Sequence, residues 1–422
     1  MLARANPCSL QGPFQYQPGA FFLLLFPNRR ITMKSNLARG RNLVSVLLFT
    51  VLLLFVPFGA EARTRARIEL EIPDIPGYIT LKCDFHMHTV FSDGRVWPPI
   101  RVEEAWRDGL DALAITDHIE YHPFKDDVKR DLNRPHQLAL PLARELGLLL
   151  VKGAEITKKV PPGHFNALFL KDCNPLDREN YLDCVGAAVE QGAFVFWNHP
   201  PFRQKDHKSI WHPEHTLLYE KGWLHGIEVV NGSDYYPEAH RWCLEKKLTM
   251  LGTSDIHTPI SFEYDPDQGD RRPMTLVFAT EKTEQALKDA LFARRTVVYA
   301  RDSLYGEKRF LEPLFHESVE ILNPEIVIRG KGATSVQIRN HSDIPFWIRA
   351  DGELEELAIP RNLALPPDAT VILRVSGKSS DREGELQLHL PYRVQNLRLS
   401  PEEALPVKLA LKVTFIPEKQ KK

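Results

Sequence analysis

The chain has 422 residues, room for one large domain and a smaller one at about 100–200 residues per domain. Its 54 Lys and Arg nearly balance 55 Asp and Glu, so it lacks the basic footprint of a nucleic-acid binder. Five cysteines without Cys-x-x-Cys spacing leave out a zinc ribbon or a redox pair. Cys173 and Cys184 could pair in an exported chain, while a buried free thiol is the default for each.

The first element in chain order is an export signal. Met33 and Lys34 open a basic stretch with Arg39 and Arg41, an apolar run covers 43–58, and Ala60, Glu61 and Ala62 follow. That order predicts a secretory signal peptide starting at Met33 and cleaved after Ala62. A retained anchor is the competing reading, but the run falls short of the roughly 20 apolar residues that span a bilayer. Residues 1–62 are thus expected to be a dispensable leader. The mature protein is expected to be secreted or periplasmic, without stable membrane insertion.

Short apolar runs then predict strands over 79–85, 111–116, 148–156, 165–170, 193–198, 226–231, 249–253, 274–279 and 296–300. Helical patterns lie between several of them, over 99–107, 178–191, 237–247 and 283–294. This alternation predicts parallel strands joined by crossover helices, an α/β sheet or barrel. Residues 261–273, rich in acids with Gly269 and two arginines, read as a polar loop inside it. After about Ser303 the runs at 317–328, 335–339, 345–350, 370–375, 385–390 and 407–415 are β-rich, predicting a separate all-β sandwich. The expected division is a leader over 1–62, an α/β domain over 63–303 and a β accessory domain over 304–422. No internal repeat is present.

The chemistry gathers at strand ends. The first strand runs into Asp84, His86 and His88, and Asp93 and Gly94 follow. Histidines two apart on a strand point to one side, so they can grip one metal. The second strand ends in Thr116, Asp117 and His118, and the third in Glu155. His164 precedes the fourth; the fifth ends in Asn198 and His199, and the seventh in Asp255 and His257. In parallel α/β architectures the C-terminal strand ends converge on one face. Any one of these histidines is more often a core or surface residue; the set predicts a site. No phosphate-cradling glycine loop, nucleophile elbow or cysteine nucleophile signature occurs.

This pattern resembles the polymerase-and-histidinol-phosphatase (PHP) domain of metal-dependent phosphoesterases. All nine positions of that family's pattern are matched, over about 79–300. The resemblance implies a distorted (β/α)7 barrel followed by the smaller sandwich-like domain. It implies two to three divalent cations, zinc, manganese or iron. His86, His88, Glu155 and Asp255 would hold the first; Glu155, His164 and His199 the second; Asp93, His118 and His257 the third. The flanks of His164 match the family loosely, with Asn166 and His122 as substitutes. The implied reaction is hydrolysis of a small phosphate ester by a metal-bridging hydroxide, with Glu155, Asp255 and His257 catalytic.

Asp117 reads as an orienting group or a strand-end cap, and Glu228 as facing the site or supporting it. Residues 200–213, with Phe202, Arg203, Lys205, His207, Lys208 and Trp211, read as a loop closing over phosphate or an ordinary solvated loop. Arg203 is the expected substrate contact, because a guanidinium pairs bidentately with phosphate. Exported members of the family with this layout resemble phosphodiesterases, which favours a diester. The alternatives are a phosphomonoesterase, a carbon–nitrogen hydrolase of the amidohydrolase type, or an envelope- or carbohydrate-binding protein with a vestigial barrel. The expected exported product begins at Arg63. N-terminal sequencing of protein recovered outside the cytoplasm checks this, and a membrane-bound chain beginning at Met33 would make the segment an anchor.

Overall fold

The computed structural model describes residues 66–418, so the expected signal peptide lies outside the described residues. Among these residues no helix is long and apolar enough to cross a membrane. The α/β region carries strands β1 (Ile79–Asp84), β2 (Ala112–Ile115), β3 (Leu149–Thr157), β4 (His164–Leu168), β5 (Phe194–Trp197) and β6 (Gly226–Asn231). It continues with β7 (Asp234–Tyr235), β8 (Thr249–Thr253), β9 (Met274–Ala279), β10 (Thr296–Ala300) and β11 (Ser303–Gly306). Helices α1 (Pro98–Arg107), α2 (Arg134–Glu145), α3 (Tyr181–Val189), α4 (Pro213–Glu220), α5 (Pro237–Lys246) and α6 (Glu284–Phe292) lie between them.

Strands β1, β2 and β3 run parallel, as do β5, β6 and β8. Residues of β2, β5, β8, β9 and β10 are buried throughout, which is why they read as unbroken apolar runs. Just past the strand ends, the His88 amide donates to the Ile256 carbonyl (3.0 Å) and the Asp255 amide to that of His86 (2.9 Å). The sheet thereby curls until the chain beyond β1 bridges the chain beyond β8.

The result is a mixed α/β sheet that departs from a regular strand–helix repeat. Strand β4 runs antiparallel to both β3 and β5. Only residues 158–163 separate it from β3, too few for the crossover a parallel pair needs. On the other flank β9, β10 and β11 follow β1 in antiparallel order.

Helix α7 (Lys308–Ser318) leads into the all-β region: β12 (Val319–Ile321), β13 (Glu325–Arg329), β14 (Ala333–Asn340), β15 (Phe346–Ala350), β16 (Leu357–Ala358), β17 (Asn362–Leu365), β18 (Ala369–Gly377), β19 (Gly384–Arg398) and β20 (Ala404–Ile416). Buried and exposed positions alternate along β13 and β20, as half-buried strands require. Strands β12, β14, β18 and β16 form one layer. The other layer holds β19, β20, β13, β15 and β17, and is continuous with the α/β sheet because β11 pairs in parallel with β19.

Patterning did not mark α2, α4 or α7. Helices α2 and α7 contain Pro141 and Pro313, each removing a backbone donor, and burial of an apolar face outweighs that cost. Phe310 stacks on Phe278 (5.1 Å between ring centres) and Phe315 meets Phe346 edge-on (5.2 Å), so α7 joins the two cores.

Buried Arg272 ties the first strand to the helix layer. It reaches Asp84 at 3.3 Å and Asp108 at 2.7 Å. Asp84 in turn accepts from the amides of His86 (3.3 Å) and Ser254 (3.1 Å), which lead into two site loops. Removing one partner of a buried ion pair strands the other. Arg272→Met is therefore expected to lower unfolding stability by about 3 kcal/mol in a denaturant titration; a loss below about 1 kcal/mol would remove this brace from the account.

Candidate metal centre

All nine side chains picked from strand ends come together at one cleft. Glu155, wholly buried at the end of β3, stands at its centre. Its Oε1 meets His164 Nδ1 (2.9 Å), accepts from Asn198 Nδ2 (3.0 Å) and faces His199 Nε2 (3.6 Å). Its Oε2 lies 2.5 Å from His118 Nδ1 and 3.6 Å from the Nε2 atoms of His86 and His88. Asp255 Oδ1 is 3.1 Å from His86 Nε2 and 3.0 Å from His88 Nε2. Asp93 Oδ1 lies 3.2 Å from His257 Nε2 and 3.5 Å from His118 Nε2.

Three buried atoms in this cluster, His86 Nε2, Asp93 Oδ1 and Glu155 Oε2, face polar neighbours without forming a well-aligned hydrogen bond among the described residues. Buried polar atoms without good hydrogen bonds are costly, and a divalent cation would satisfy all three kinds. The groups able to share an ion are His88 with Asp93, His118 and His257; His86 with His199 and Asp255; His86 with His88 and Glu155; and His118 with Glu155 and His164. Donor atoms within each group lie within 4.8 Å of one another. The grouping is thus more interleaved than three separate sets, with His86, His88 and His118 each able to serve more than one position. Imidazole and carboxylate donors without thiolate fit a divalent cation of the zinc, manganese or iron type. The four described cysteines are buried free thiols, and none belongs to a donor group.

Without a cation, the acids and histidines of the cluster hold protons between them, and a bound ion would have to displace those protons. Burial would lower His86, yet Asp255, Glu228 and Glu155 hold it well above the ordinary histidine range. Burial likewise opposes His118, which Glu155 and Asp93 hold at about 11. Burial pushes His88 down to about 3, with His257 and His118 adding to the effect. Burial favours neutral Glu155, but the histidines around it, His118 first, hold it far below the usual carboxylate range.

The supporting groups are as informative as the donors. Asp117 accepts from the Thr89 amide (2.6 Å), Thr89 Oγ1 (2.6 Å) and Ser92 Oγ (2.7 Å), and Ser92 touches His88 Nδ1 (3.3 Å). It therefore shapes the His88–Asp93 loop rather than facing a cation. A side chain at Gly94 would lie 2.4 Å from the His88 carbonyl carbon, so that turn admits glycine alone. Glu228 accepts from His86 Nδ1 (2.7 Å), Thr253 Oγ1 (2.6 Å), the His199 amide (2.6 Å) and Asn231 Nδ2 (2.9 Å). It orients His86 and His199 together. Buried Arg101 donates to the carbonyls of His88 (2.8 Å), Thr258 (2.8 Å) and Ile256 (3.1 Å). No sequence signal distinguished Arg101, whose carbonyl partners Ile256 and Thr258 lie far along the chain, and Asp84 reads in the sequence only as the start of the motif after the first strand.

Two substitutes considered for His164 point elsewhere. Asn166 donates to the Phe85 carbonyl and Thr116 Oγ1 (3.3 Å each), and His122 faces the carbonyls of Phe91 (2.9 Å) and Ile119 (2.7 Å). His199 and Asp255 both adopt left-handed backbone, with φ of 27° and 53°. Such strain persists only where surrounding structure enforces it, as at functional sites.

The cleft above the cluster has a volume of about 910 Å³, with Phe202, Arg203, His207, Tyr235 and Tyr236 among its walls. Phe202 lies edge-on to His164 (5.3 Å) and His199 (4.9 Å). Trp211 does not line the cleft: its ring packs on Trp197 (6.0 Å) and Trp242 (5.4 Å), and its Nε1 donates to Thr216 (2.9 Å). Burying a large indole among other aromatics outweighs exposing it at the loop.

This chain aligns, over 82% of its length and 100% of the other's, with a crystal structure from Bacteroides vulgatus at 44% identity and a TM-score of 0.78. That protein is described as a two-domain protein containing a predicted PHP-like metal-dependent phosphoesterase. The chain belongs to this family of two-domain PHP-like phosphoesterases. Residues 319–410 match the model of an Ig-like domain, which assigns the sandwich. A metal-dependent phosphoesterase structure from Bifidobacterium adolescentis aligns at 19% identity over 42% of this chain and 87% of its own, with a TM-score of 0.34. An amidohydrolase from Chromobacterium violaceum does so at 17% over 42% and 88%, with a TM-score of 0.33. Both likenesses are too slight to bear on activity. No curated protein matches the chain.

Outer partners of ligating histidines commonly tune metal affinity by about 10–100-fold. Glu228→Gln keeps the shape but weakens the acceptors for His86 and the His199 amide. Its expected result is a metal dissociation constant raised by about tenfold or more in chelator competition, and an unchanged constant would exclude the role.

Proposed function

We propose that this PHP-like domain hydrolyses phosphodiesters, with two to three zinc, manganese or iron ions held by His86, His88, Asp93, His118, Glu155, His164, His199, Asp255 and His257. Bound there, such cations would neutralise phosphoryl charge and lower the pKa of water toward about 7. Glu155 presents its two oxygens to different histidine sets, so it can serve two cations at once. Asp255 reaches both His86 and His88 with one oxygen and turns the other toward His199 (3.8 Å). His257, one-third exposed beside Asp93, stands on the solvent side of the cluster, where substrate would enter.

The observation that carries the diester preference is the supply of cationic side chains. Among the described residues lining the cleft, Arg203 is the only arginine or lysine. Its guanidinium lies 5.1 Å from the Phe202 ring and has no ion-pair partner among the described residues. One free cation suits the single charge of a diester better than the dianion of a monoester, and Phe202 offers an apolar wall for a second organic group. The intact donor set speaks against a vestigial site. The reading includes export, supported by the sequence of the leader.

At identical metal loading, kcat/KM should be higher for bis(p-nitrophenyl) phosphate than for p-nitrophenyl phosphate. A monoester preference of about tenfold, roughly 1.4 kcal/mol of transition-state binding, would make the protein a phosphomonoesterase instead.

A further inference from the structure

The cleft has a second wall, opposite in character to the Phe202–Arg203 loop. After β6 the chain turns through Gly232 and Ser233 and returns as β7, pairing Tyr235 with Val230 and Asp234 with Asn231. Asn231, Asp234, Tyr235 and Tyr236 all line the cleft beside Asp255. A two-residue strand on a sheet edge has little to hold it, since its ladder supplies few hydrogen bonds.

It is held by side chains of β11 and α5, two elements that the Ig-like domain contacts. The Tyr235 ring stacks on Tyr305 with centres 4.5 Å apart and planes 24° apart. The Tyr235 hydroxyl meets His240 Nδ1 at 2.9 Å, and the His240 ring stands edge-on to Tyr305 at 6.1 Å. Tyr305 lies on β11, where it is paired across to Val298 of β10 and to Arg398 of β19. Arg398 belongs to the Ig-like domain. One helical position from His240, Arg241 donates through Nε to Glu402 at 3.1 Å, and Glu402 lies in the turn between β19 and β20 of that same domain. The stack and the side-chain hydrogen bond thus hold β7 from β11 and α5, and the β11–β19 pairing and the Arg241–Glu402 ion pair link those two elements to the Ig-like domain.

We propose that the Ig-like domain positions the substrate wall of the metal cleft, with Tyr235 contacting the substrate's organic group and Tyr305 acting as its positioning residue. Tyr235 offers a half-buried ring at the mouth of the cleft, suited to the second substituent of a phosphodiester. Tyr305 touches no metal-donor residue among its ring contacts and acts only through the stack. The inference rests on the phosphoesterase reading of the cleft for its substrate and on the fold alone for its brace.

Two measurements separate these. Tyr305→Leu keeps apolar bulk on β11 but removes the stack. An aromatic pair of this geometry sets the expected effect at about a fivefold rise in KM for bis(p-nitrophenyl) phosphate, with kcat and metal content within about twofold of wild type. Tyr305→Phe retains the ring and should restore KM. Tyr235→Leu should raise KM at least as much, and adding Tyr305→Leu to it should change little further, because both act through one contact. Hydrogen exchange, which needs no turnover, should quicken in residues 230–236 of Tyr305→Leu and stay unchanged over 84–93 and 253–257. Unchanged exchange in 230–236 overturns the brace whatever the activity. Faster exchange there with an unaltered KM in active protein overturns the substrate role of Tyr235. Loss of metal in Tyr305→Leu overturns the proposal in favour of a general structural role. If wild-type protein cleaves no phosphate ester, the phosphoesterase reading fails and the exchange result still decides the brace.

Discussion

A carboxylate buried at the end of a central strand, with imidazole nitrogens around both of its oxygens, is the constraint on which this structure turns. Other buried carboxylates nearby are satisfied: Asp117 by a hydroxyl pair and an amide, Glu228 by an imidazole, a hydroxyl, an amide and a side-chain amide, Asp84 by Ser254 and Arg272. Glu155 Oε2 and Asp93 Oδ1 instead face only histidine ring nitrogens, at 2.5–3.6 Å and 3.2–3.9 Å. A buried carboxylate is costly without a compensating positive group, and oxygens that meet only imidazoles can share a cation with them.

The scaffold keeps those donors from relaxing away from one another. Arg101 holds three carbonyls of the loops after β1 and β8, and those loops also bond to each other through His86, His88, Asp255 and Ile256. Glu228 couples the loop after β5 to His86. With the backbone anchored this way, His199 and Asp255 can stay in left-handed conformations that cost on the order of 1–3 kcal/mol each. Rigidity of that kind matters for an ion site because donors oriented by outer partners bind an ion more tightly than donors that must first be ordered.

The same economy governs how the two domains meet. Strand β11 would be an exposed edge of the α/β sheet, and pairing with β19 covers it while building one layer of the sandwich. Helix α7 fills the corner, with Phe310 on Phe278 and Phe315 on Phe346 inside one core shared by the two regions. The Ig-like domain is consequently part of the packing that surrounds the cleft wall, close to residues that the metal donors do not themselves touch.

Much of this was legible in the chain. Strands at 226–231, 249–253, 274–279 and 296–300 have the limits read from their apolar runs, because strands buried on both faces leave continuous apolar signatures. The His86–His88 pair was legible from period-two alternation, and the full set of nine from motifs around the strand ends and their resemblance to the PHP pattern. Other features needed the tertiary structure. The antiparallel setting of β4, the sharing of His86, His88 and His118 among donor groups, and the burial of Trp211 depend on which segments become neighbours. So do the roles of Arg101 and Glu228, whose partners lie up to 157 and 142 positions away. Local periodicity carries orientation along one strand but holds no record of distance between strands, and distance is what makes a set of donors into a site.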